Sequence, residues 1–225
     1  MPATPARTTL LLFTRYPRAG EVKTRLIPAL GPEGAATFHN RLVHHTLSEV
    51  RHWIHAAPGR TGLVCLDGAS DSQAQAWLPN TPCEPQSTGD LGDRLRSAIT
   101  AAFTAGAETL LVIGSDCPRA TADDFAAAQD ALTSADVVLG PAADGGYWLI
   151  GLKSPHRQLF DHIPWGGPRV LVTTMARATS LHLTTKLLRT LPDVDLPEDL
   201  PDACTALGIP LPPQPAVSRL PTSHS

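Results

Sequence analysis

Five short apolar runs constrain the fold of this 225-residue chain more than any other feature. None of them shows the polar alternation of a strand that has one face in water. Uninterrupted runs of this kind indicate strands that are covered on both faces, as in a parallel sheet. Strands are therefore predicted at 8–13, 61–66, 109–114, 135–140 and 147–152.

The segments between the runs carry helical periodicity. Val43, Leu47 and Val50 recur at intervals of four and three residues, which places them on one apolar stripe. Strand–helix alternation favours an α/β three-layer sandwich with a mostly parallel sheet and right-handed crossovers. Helices are predicted at 33–56, 91–105, 121–133 and 168–181, with Asp90 capping the start of the second.

Composition narrows the classes of partner. Lys and Arg number 18 against 21 Asp and Glu, a net charge of −3, and nucleic-acid binding would need a basic face. No stretch approaches the roughly 20 apolar residues that span a bilayer, and the N-terminus lacks the apolar core of a signal peptide. Four scattered cysteines without a CxxC pattern indicate reduced thiols. We therefore expect a cytoplasmic protein that binds neither nucleic acid nor membrane.

The length of the chain fits one domain, which we expect to span 8–207. Residues 1–7 are predicted to be a flexible N-terminus. Residues 208–225 are rich in proline without a periodic pattern and are predicted to be a flexible tail. The sequence does not indicate an oligomeric state.

A basic segment, FTRYPRAGEVKTRL (13–26), directly follows the first predicted strand. Ligands of open α/β sheets bind outside the carboxyl ends of the strands, so this segment is a candidate anion site. It contains neither a P-loop nor a GxGxxG pattern. Lys23 and Arg25 combine a compact charge with a planar fork and suit a pyrophosphate, with Arg15 beside them at the strand end. The alternative is a basic loop that is exposed to solvent, and Arg18 is interpreted as a solvated residue.

Carboxylates follow the later strands. Asp116 comes at the end of the third strand, and Asp193 and Asp195 precede a predicted helix start at Pro197. Carboxylates that converge with phosphate oxygens would supply the hard ligands that Mg²⁺ or Mn²⁺ prefers. The alternative for each is an ordinary helix cap.

Asp144 precedes two glycines, Gly145 and Gly146, and then the aromatic pair Tyr147 and Trp148. Paired glycines permit a close approach of the backbone to a ligand, and the aromatic rings could contact a sugar. The alternative is a tight hairpin turn with buried aromatic side chains. The histidines of the first long helix, His39, His44, His45, His52 and His55, are interpreted as solvated surface.

Taken in order, four segments resemble the DUF2064, or rSAM-associated glycosyltransferase-A-like, family. They are FTRYPRAGEVKTRL, GDLGDRL (89–95), VIGSDCP with GPAADGGYWLIGL, and LPDVDLPEDL, and they span nearly all of the predicted domain. The resemblance implies the nucleotide-diphospho-sugar transferase fold. More distantly, the layout is similar to guanylyltransferases of cofactor synthesis.

The resemblance also implies roles for particular residues. A nucleotide would lie over the first strand, with Arg15, Lys23 and Arg25 at its phosphates. Asp116 would be a catalytic metal ligand in the position of the fold's DxD-type carboxylate, and Asp195 would be the second metal ligand. The acceptor side would be lined by Asp90, Asp144, Gly145 and Gly146. This chain departs from the family at Leu196, where a threonine is usual, which leaves Asp195 as a candidate cap.

From these residues we predict a metal-dependent glycosyltransferase that uses a nucleoside-diphosphate sugar, a small-molecule acceptor and Mg²⁺ or Mn²⁺. Charge on the departing diphosphate would be stabilised electrostatically, and Asp144 would act as general base. The alternative is a nucleotidyltransferase that moves a guanylyl or related group from a nucleoside triphosphate to a phosphorylated small molecule and releases pyrophosphate. A second alternative is a nucleotide-binding module without catalysis.

Overall fold

The computed structural model describes residues 7–212, and these form an α/β sandwich around a seven-stranded sheet. The strand order is β3-β2-β1-β4-β6-β5-β7, and all neighbours are parallel except β6, which runs antiparallel to β4 and β5. The strands are β1 (Thr8–Arg15), β2 (Arg60–Asp67), β3 (Cys83–Pro85), β4 (Thr109–Ile113), β5 (Val137–Pro141), β6 (Tyr147–Leu152) and β7 (Thr185–Leu187).

All five predicted strands are present, together with two that the sequence did not reveal. β3 and β7 have three residues each and lie at the two edges of the sheet, where their side chains are mostly exposed. Neither carries the apolar run of a strand covered on both faces. β5 and β6 form a hairpin, as the alternative reading of the double glycine predicted.

Within residues 7–212, six α-helices connect or flank the strands. The first begins earlier than predicted and has a kink at Gly31, which adopts a φ of 70° before Pro32. The helices are α1 (Ile27–Ala56), α2 (Asp71–Trp77), α3 (Leu91–Thr104), α4 (Ala122–Ala131), α5 (Val170–Ser180) and α6 (Leu200–Leu207). Short 3-10 turns occupy Thr24–Leu26, Arg157–Phe160 and Pro197–Asp199.

Both faces of the sheet are covered, which explains the uninterrupted apolar runs. Leu10 and Leu12 of β1 contact the core that includes α1 and α4. Leu11, which points to the opposite face, packs in a second core with residues of α3 and the loop before α5. A third, smaller cluster joins the N-terminal half of α1 to α6 through Phe38 and Leu200.

The sheet positions two loops side by side. Leu12 of β1 pairs in register with Ile113 of β4, and the two strands run parallel. The segments after Arg15 and after Ile113 therefore leave the same edge of the sheet, next to each other. This edge also receives the β5–β6 turn and the segment 191–196, which forms an isolated bridge between Leu191 and Ala142.

In residues 7–212 no helix combines the length and apolar character that crossing a bilayer requires. The predicted flexible N-terminus and Pro-rich tail fall mainly on 1–6 and 213–225, outside the described residues. All four cysteines are free thiols.

Asp124 at the start of α4 supports both the fold and the segment that leads to the candidate site. Its carboxylate accepts bonds from the Thr121 amide (2.9 Å) and from Arg189 (2.6 and 2.7 Å). Burial by itself would raise the pKa of Asp124, but the bonds from Arg189 and Thr121 hold it below its ordinary value. The ionised carboxylate therefore stabilises the fold at neutral pH.

We expect Asp124→Asn to lower the free energy of unfolding at pH 7 by about 1 to 2 kcal/mol. A group with a lowered pKa contributes stability above its unfolded pKa and loses it as the pH falls through the folded pKa. The difference between variant and wild type should therefore shrink below about pH 4, near the ordinary pKa of Asp. Urea unfolding across pH checks this, with the exposed Asp123→Asn as control. A pH-independent gap would contradict it.

Candidate active site

The basic loop after β1 folds back over the carboxyl edge of the sheet. Gly20 turns the loop with a φ of 83°, and the Glu21 amide donates to the Arg18 carbonyl at 3.1 Å. The Arg18 guanidinium bonds Glu21 at 3.2 Å and the Gly68 carbonyl at 3.2 Å. Arg18 therefore holds the loop against the end of β2, while Arg15, Lys23 and Arg25 line a cavity beside it.

This basic cavity has a volume of about 410 Å³ and opens at the ends of β1 and β4. Its three cations come from the basic loop, and its carboxylates come from that loop, from the end of β4 and from the late segment 191–196. The cavity brings together most of the residues predicted to hold phosphate and metal. The charged residues that line it are Arg15, Lys23, Arg25, Glu21, Asp116 and Asp195.

Lys23 is the buried member of this set, with 6% of its side chain exposed. Its Nζ donates to Asp116 Oδ1 at 2.6 Å and to the Val194 carbonyl at 2.5 Å. The backbone of Lys23 has a φ of 46°, in the left-handed region that costs a non-glycine residue roughly 1 kcal/mol. The side-chain contacts hold this conformation in place, and the ammonium group points toward the cavity that contains Asp116.

The two exposed arginines are also paired with carboxylates. Arg25 Nη1 contacts Asp195 Oδ2 in a salt bridge that joins the basic loop to the late segment. Arg15 Nε lies 3.3 Å from Asp67 Oδ2, which also accepts from Arg94 at 2.8 Å. Every cation that lines the basic cavity therefore has an acidic partner in the protein.

The substitution at Leu196 does not turn Asp195 into a cap. The amides of Asp195 and Leu196 both donate to Asp199 Oδ2, at 2.9 and 2.7 Å. Asp199 therefore holds the two amides that precede the turn Pro197–Asp199, and its own amide donates to the Leu196 carbonyl at 3.0 Å. The Asp195 carboxylate is left to face Arg25 and the cavity.

His39 corrects the interpretation of the helix histidines as surface. The side chain lies under the basic cavity, and the residue is 6% exposed. Its Nε2–H donates to the Arg15 carbonyl at 3.0 Å, and burial lowers its pKa. The neutral ring thus fixes the backbone where β1 ends. His45 donates in the same way to the Pro118 carbonyl at 2.9 Å and positions the loop after Asp116.

A second cavity of about 370 Å³ lies on the other side of Asp116 and has a different lining. Its walls are largely apolar and aromatic, and its carboxylates are Asp116, Asp144 and Asp193, with no Lys, Arg or His among the lining residues in 7–212. Asp116 is the carboxylate that faces both cavities. The aromatic side chains of the wall are Phe13, Tyr147, Trp148 and Trp165.

The β5–β6 turn forms one wall of this aromatic cavity. Asp144 Oδ1 accepts from the Gly146 amide at 2.7 Å, which orders the turn and leaves the other carboxylate oxygen available. Gly145 lies against Pro168 and the first turn of α5, where its carbonyl accepts from the Leu171 amide at 2.9 Å. Asp144 and Gly146 line the cavity, while Gly145 brings the two segments together.

Asp90 caps α3 as predicted, since its Oδ1 accepts from the Asp93 amide at 2.8 Å. Its neighbour Leu91 lines the aromatic cavity, whereas Asp90 is absent from the lining of both cavities among residues 7–212. A contact between Asp90 and an acceptor stays a prediction.

Asp193 is a member of the site that the sequence indicated less clearly than Asp195. Burial raises the pKa of Asp193, and the neighbouring Asp144 carboxylate adds to the effect. The available signal was its position two residues before Asp195 in PDVDLP. The sequence alone could not show that the two carboxylates would line different cavities on either side of Asp116.

The donor set suits a metal that is shared with a substrate. In the described chain no three His, Cys, Asp or Glu side chains converge as a complete metal site. Mg²⁺ is commonly held by one or two carboxylates together with substrate phosphates and water. Asp116 and Asp195 line one cavity with the cations Arg15, Lys23 and Arg25 and fit that role.

Gly145 provides a test of how tightly the turn is held. At a φ of 90° a side chain is strained, and a Cβ here would lie 2.2 Å from the Pro168 carbonyl oxygen. We expect Gly145→Ala to cost roughly 3 kcal/mol or more in unfolding free energy, because backbone must move. Gly166→Ala is the control: its φ is 75° but the space is open, so only about 1 kcal/mol of strain is expected. Equal losses in urea unfolding would contradict this close approach.

Known proteins resemble the chain over most of its length. Residues 52–167 match the model of the DUF2064 family, described as an uncharacterized protein conserved in bacteria. The phosphoenolpyruvate guanylyltransferase of Chloroflexus aggregans is 34% identical over 194 residues, which cover 82% of this chain and 91% of the relative. The enzyme of the same name from Chloroflexus aurantiacus is 29% identical over 178 residues, covering 75% and 80%.

A solved structure is similar as well. It is a crystal structure of a protein from Desulfovibrio desulfuricans G20 that is assigned as a nucleotide-diphospho-sugar transferase. The TM-score is 0.78 at 30% sequence identity, over 85% of this chain and 83% of that one.

These comparisons decide several predictions. The α/β sandwich of the nucleotide-diphospho-sugar transferase type is confirmed. The relatives are transferases, and the predicted enzyme class is confirmed. They support nucleotidyl transfer better than glycosyl transfer, which stays a prediction. The match to the family model shows that the chain belongs to the DUF2064 family, as the order of its four motifs predicted.

Proposed function

We propose that the protein is a nucleotidyltransferase that moves a nucleoside monophosphate from a nucleoside triphosphate to a phosphorylated small acid and releases pyrophosphate. The observation that carries the proposal is the basic cavity at the carboxyl edge of the sheet, which Arg15, Lys23 and Arg25 line together with Asp116. Two relatives named phosphoenolpyruvate guanylyltransferase make GTP and phosphoenolpyruvate the first substrates to test.

The basic cavity suits a triphosphate chain. Lys23 offers a compact charge from the buried side, and Arg15 and Arg25 offer planar forks from the exposed side. Nucleotidyl transfer builds negative charge on the departing pyrophosphate, so cations already in place lower its barrier. Asp116 and Asp195 would hold Mg²⁺ or Mn²⁺, which when bound would neutralise part of the same charge.

The acceptor would approach Asp116 from the aromatic cavity, with its carbon part against the aromatic wall. Since the charged residues that line this cavity within 7–212 are carboxylates, the acceptor phosphate would have to reach the cations of the basic cavity at the shared Asp116. A phosphate acceptor is already largely ionised at neutral pH, since its second pKa is about 6. Such an acceptor needs no general base. Asp144 would then help to position the acceptor through the ordered turn rather than take a proton.

Glycosyl transfer is the second candidate, and one observation favours it. Asp144, which stands among Tyr147, Trp148 and Trp165, could accept the proton of an acceptor hydroxyl while a ring packs on the aromatic wall. The similarity to the Desulfovibrio desulfuricans protein is in line with this reading. A catalytically inactive nucleotide-binding module is the less supported reading, because the relatives are transferases. A cytoplasmic location stays a prediction.

The two reactions differ in their products and in their need for Asp144. We expect pyrophosphate from GTP and phosphoenolpyruvate with the wild type, and a loss of at least about a hundredfold in rate for Asp116→Ala. If the reaction is nucleotidyl transfer without a general base, Asp144→Asn should keep a rate within about tenfold of the wild type. If the reaction is glycosyl transfer with Asp144 as the base, the same variant should lose roughly a hundredfold or more in rate. A phosphate assay coupled to pyrophosphatase measures pyrophosphate, and nucleotide chromatography measures nucleoside diphosphate. Nucleoside diphosphate from a nucleotide sugar, without pyrophosphate from GTP, would favour glycosyl transfer.

The cations should rank by their place in the cavity. We expect Lys23→Ala to weaken binding of GTP with Mn²⁺ by at least about tenfold, since a charge-assisted contact is lost. Arg18→Ala should change it by less than about threefold, because Arg18 bonds Glu21 and Gly68 outside the cavity. Isothermal titration calorimetry measures both affinities. The reverse ranking would overturn the assignment of the phosphates to this cavity.

A further inference from the structure

Two of the three cations that line the basic cavity are paired with two of its carboxylates. Lys23 holds Asp116 at 2.6 Å, and Arg25 holds Asp195. Two of the three residues proposed to bind phosphate are therefore bound to the two residues proposed to bind metal, while Arg15 pairs with Asp67 instead. The proposed phosphate-binding cations and the proposed metal-binding carboxylates of these two pairs therefore neutralise each other.

This arrangement limits what either ligand can gain by entering alone. A phosphate chain meets two cations whose charge is already compensated, next to carboxylates that are about half exposed, 55% for Asp116 and 43% for Asp195. A metal ion alone meets two carboxylates that already have cationic partners. In either case the remaining member of each pair would be left without its counter-charge.

Lys23 makes the effect strongest because it is buried. An ammonium group has three donors, and two of them are used by Asp116 and the Val194 carbonyl. The Val194 contact can keep Lys23 in place when Asp116 turns away. Lys23 can then exchange one partner, the carboxylate, for a phosphate oxygen without leaving the cavity.

We propose that these two salt bridges couple the binding of metal and phosphate. As Asp116 and Asp195 take up a divalent cation, they release Lys23 and Arg25 to the phosphates, so each ligand strengthens the binding of the other. The proposal rests on the proposed function only in assigning a metal–nucleotide to the basic cavity. Because such coupling is reciprocal, it can be measured from either ligand.

The sharpest test is binding of phosphate without metal. Calorimetry in EDTA is carried out with GTP and, to remove any contribution from the base, with inorganic tripolyphosphate. In the wild type we expect metal-free GTP to bind roughly 5- to 150-fold more weakly than GTP with Mn²⁺. Asp116→Asn and Asp195→Asn should each bind metal-free tripolyphosphate at least about threefold more tightly than the wild type, because one cation is set free.

Glu21→Gln is the matched control. Glu21 lines the same cavity and is 58% exposed, close to the value for Asp116, but its partner is Arg18, which lies outside the lining. Removing the charge of Glu21 tests how much of any gain comes from reduced repulsion of the phosphates. We expect the affinity of this variant for metal-free tripolyphosphate to rise by less than about twofold. Asp195→Asn keeps the test valid if Asp116→Asn fails to fold. Its partner Arg25 is exposed, and the Leu196 amide beside it is bound by Asp199, so this substitution should leave the fold intact.

The reciprocal measurement uses Mn²⁺ alone. Lys23→Met and Arg25→Met should bind Mn²⁺ more tightly than the wild type in the absence of nucleotide, and Arg18→Met should not. Tighter tripolyphosphate binding by the aspartate variants together with tighter Mn²⁺ binding by the Lys23 and Arg25 variants supports the coupling. Aspartate variants that bind metal-free tripolyphosphate no more tightly than Glu21→Gln would overturn it. A wild type that shows coupled binding but releases no pyrophosphate would contradict the proposed function and leave the coupling standing.

Discussion

The ammonium group of Lys23 joins three segments that lie far apart in the sequence. Its contacts to Asp116 and to the Val194 carbonyl connect the basic loop, the end of β4 and the late segment 191–196. The Val194 amide donates back to the Asp116 carbonyl at 2.9 Å, which closes the junction. A buried cation needs these acceptors, because an unpaired charge in the interior is costly. The shape of the site therefore depends on one electrostatic contact.

Around this junction the site divides into two cavities of opposite character. The basic cavity offers three cations, and the aromatic cavity offers carboxylates among apolar walls. Asp116 faces both, so a group held in one cavity can meet a group held in the other. This division suits a transfer reaction, in which a charged donor and a chemically different acceptor must approach along one line.

Much of the fold could be predicted because the apolar runs and the helical periodicity are local patterns of the sequence. The runs at 8–13 and 109–114 form central strands, and successive residues such as Leu10 and Leu11 enter different cores on the two faces of the sheet. β3 and β7 were not predicted, because each has three mostly exposed residues at an edge of the sheet and so shows no apolar pattern. The antiparallel direction of β6 is set by the short turn from β5, whose double glycine indicated a hairpin only as an alternative.

The sequence by itself determined the fold class, the family and the set of charged residues at the carboxyl edge of the sheet, since strand burial and loop chemistry are local properties. Only the tertiary structure decided how those charges combine. It paired Lys23 with Asp116 and Arg25 with Asp195, bound the amides of Asp195 and Leu196 to Asp199, and buried His39 beneath the end of β1. Arg25 and Asp195 are 170 positions apart, and such pairing follows from the packing of distant segments, which local sequence patterns do not encode.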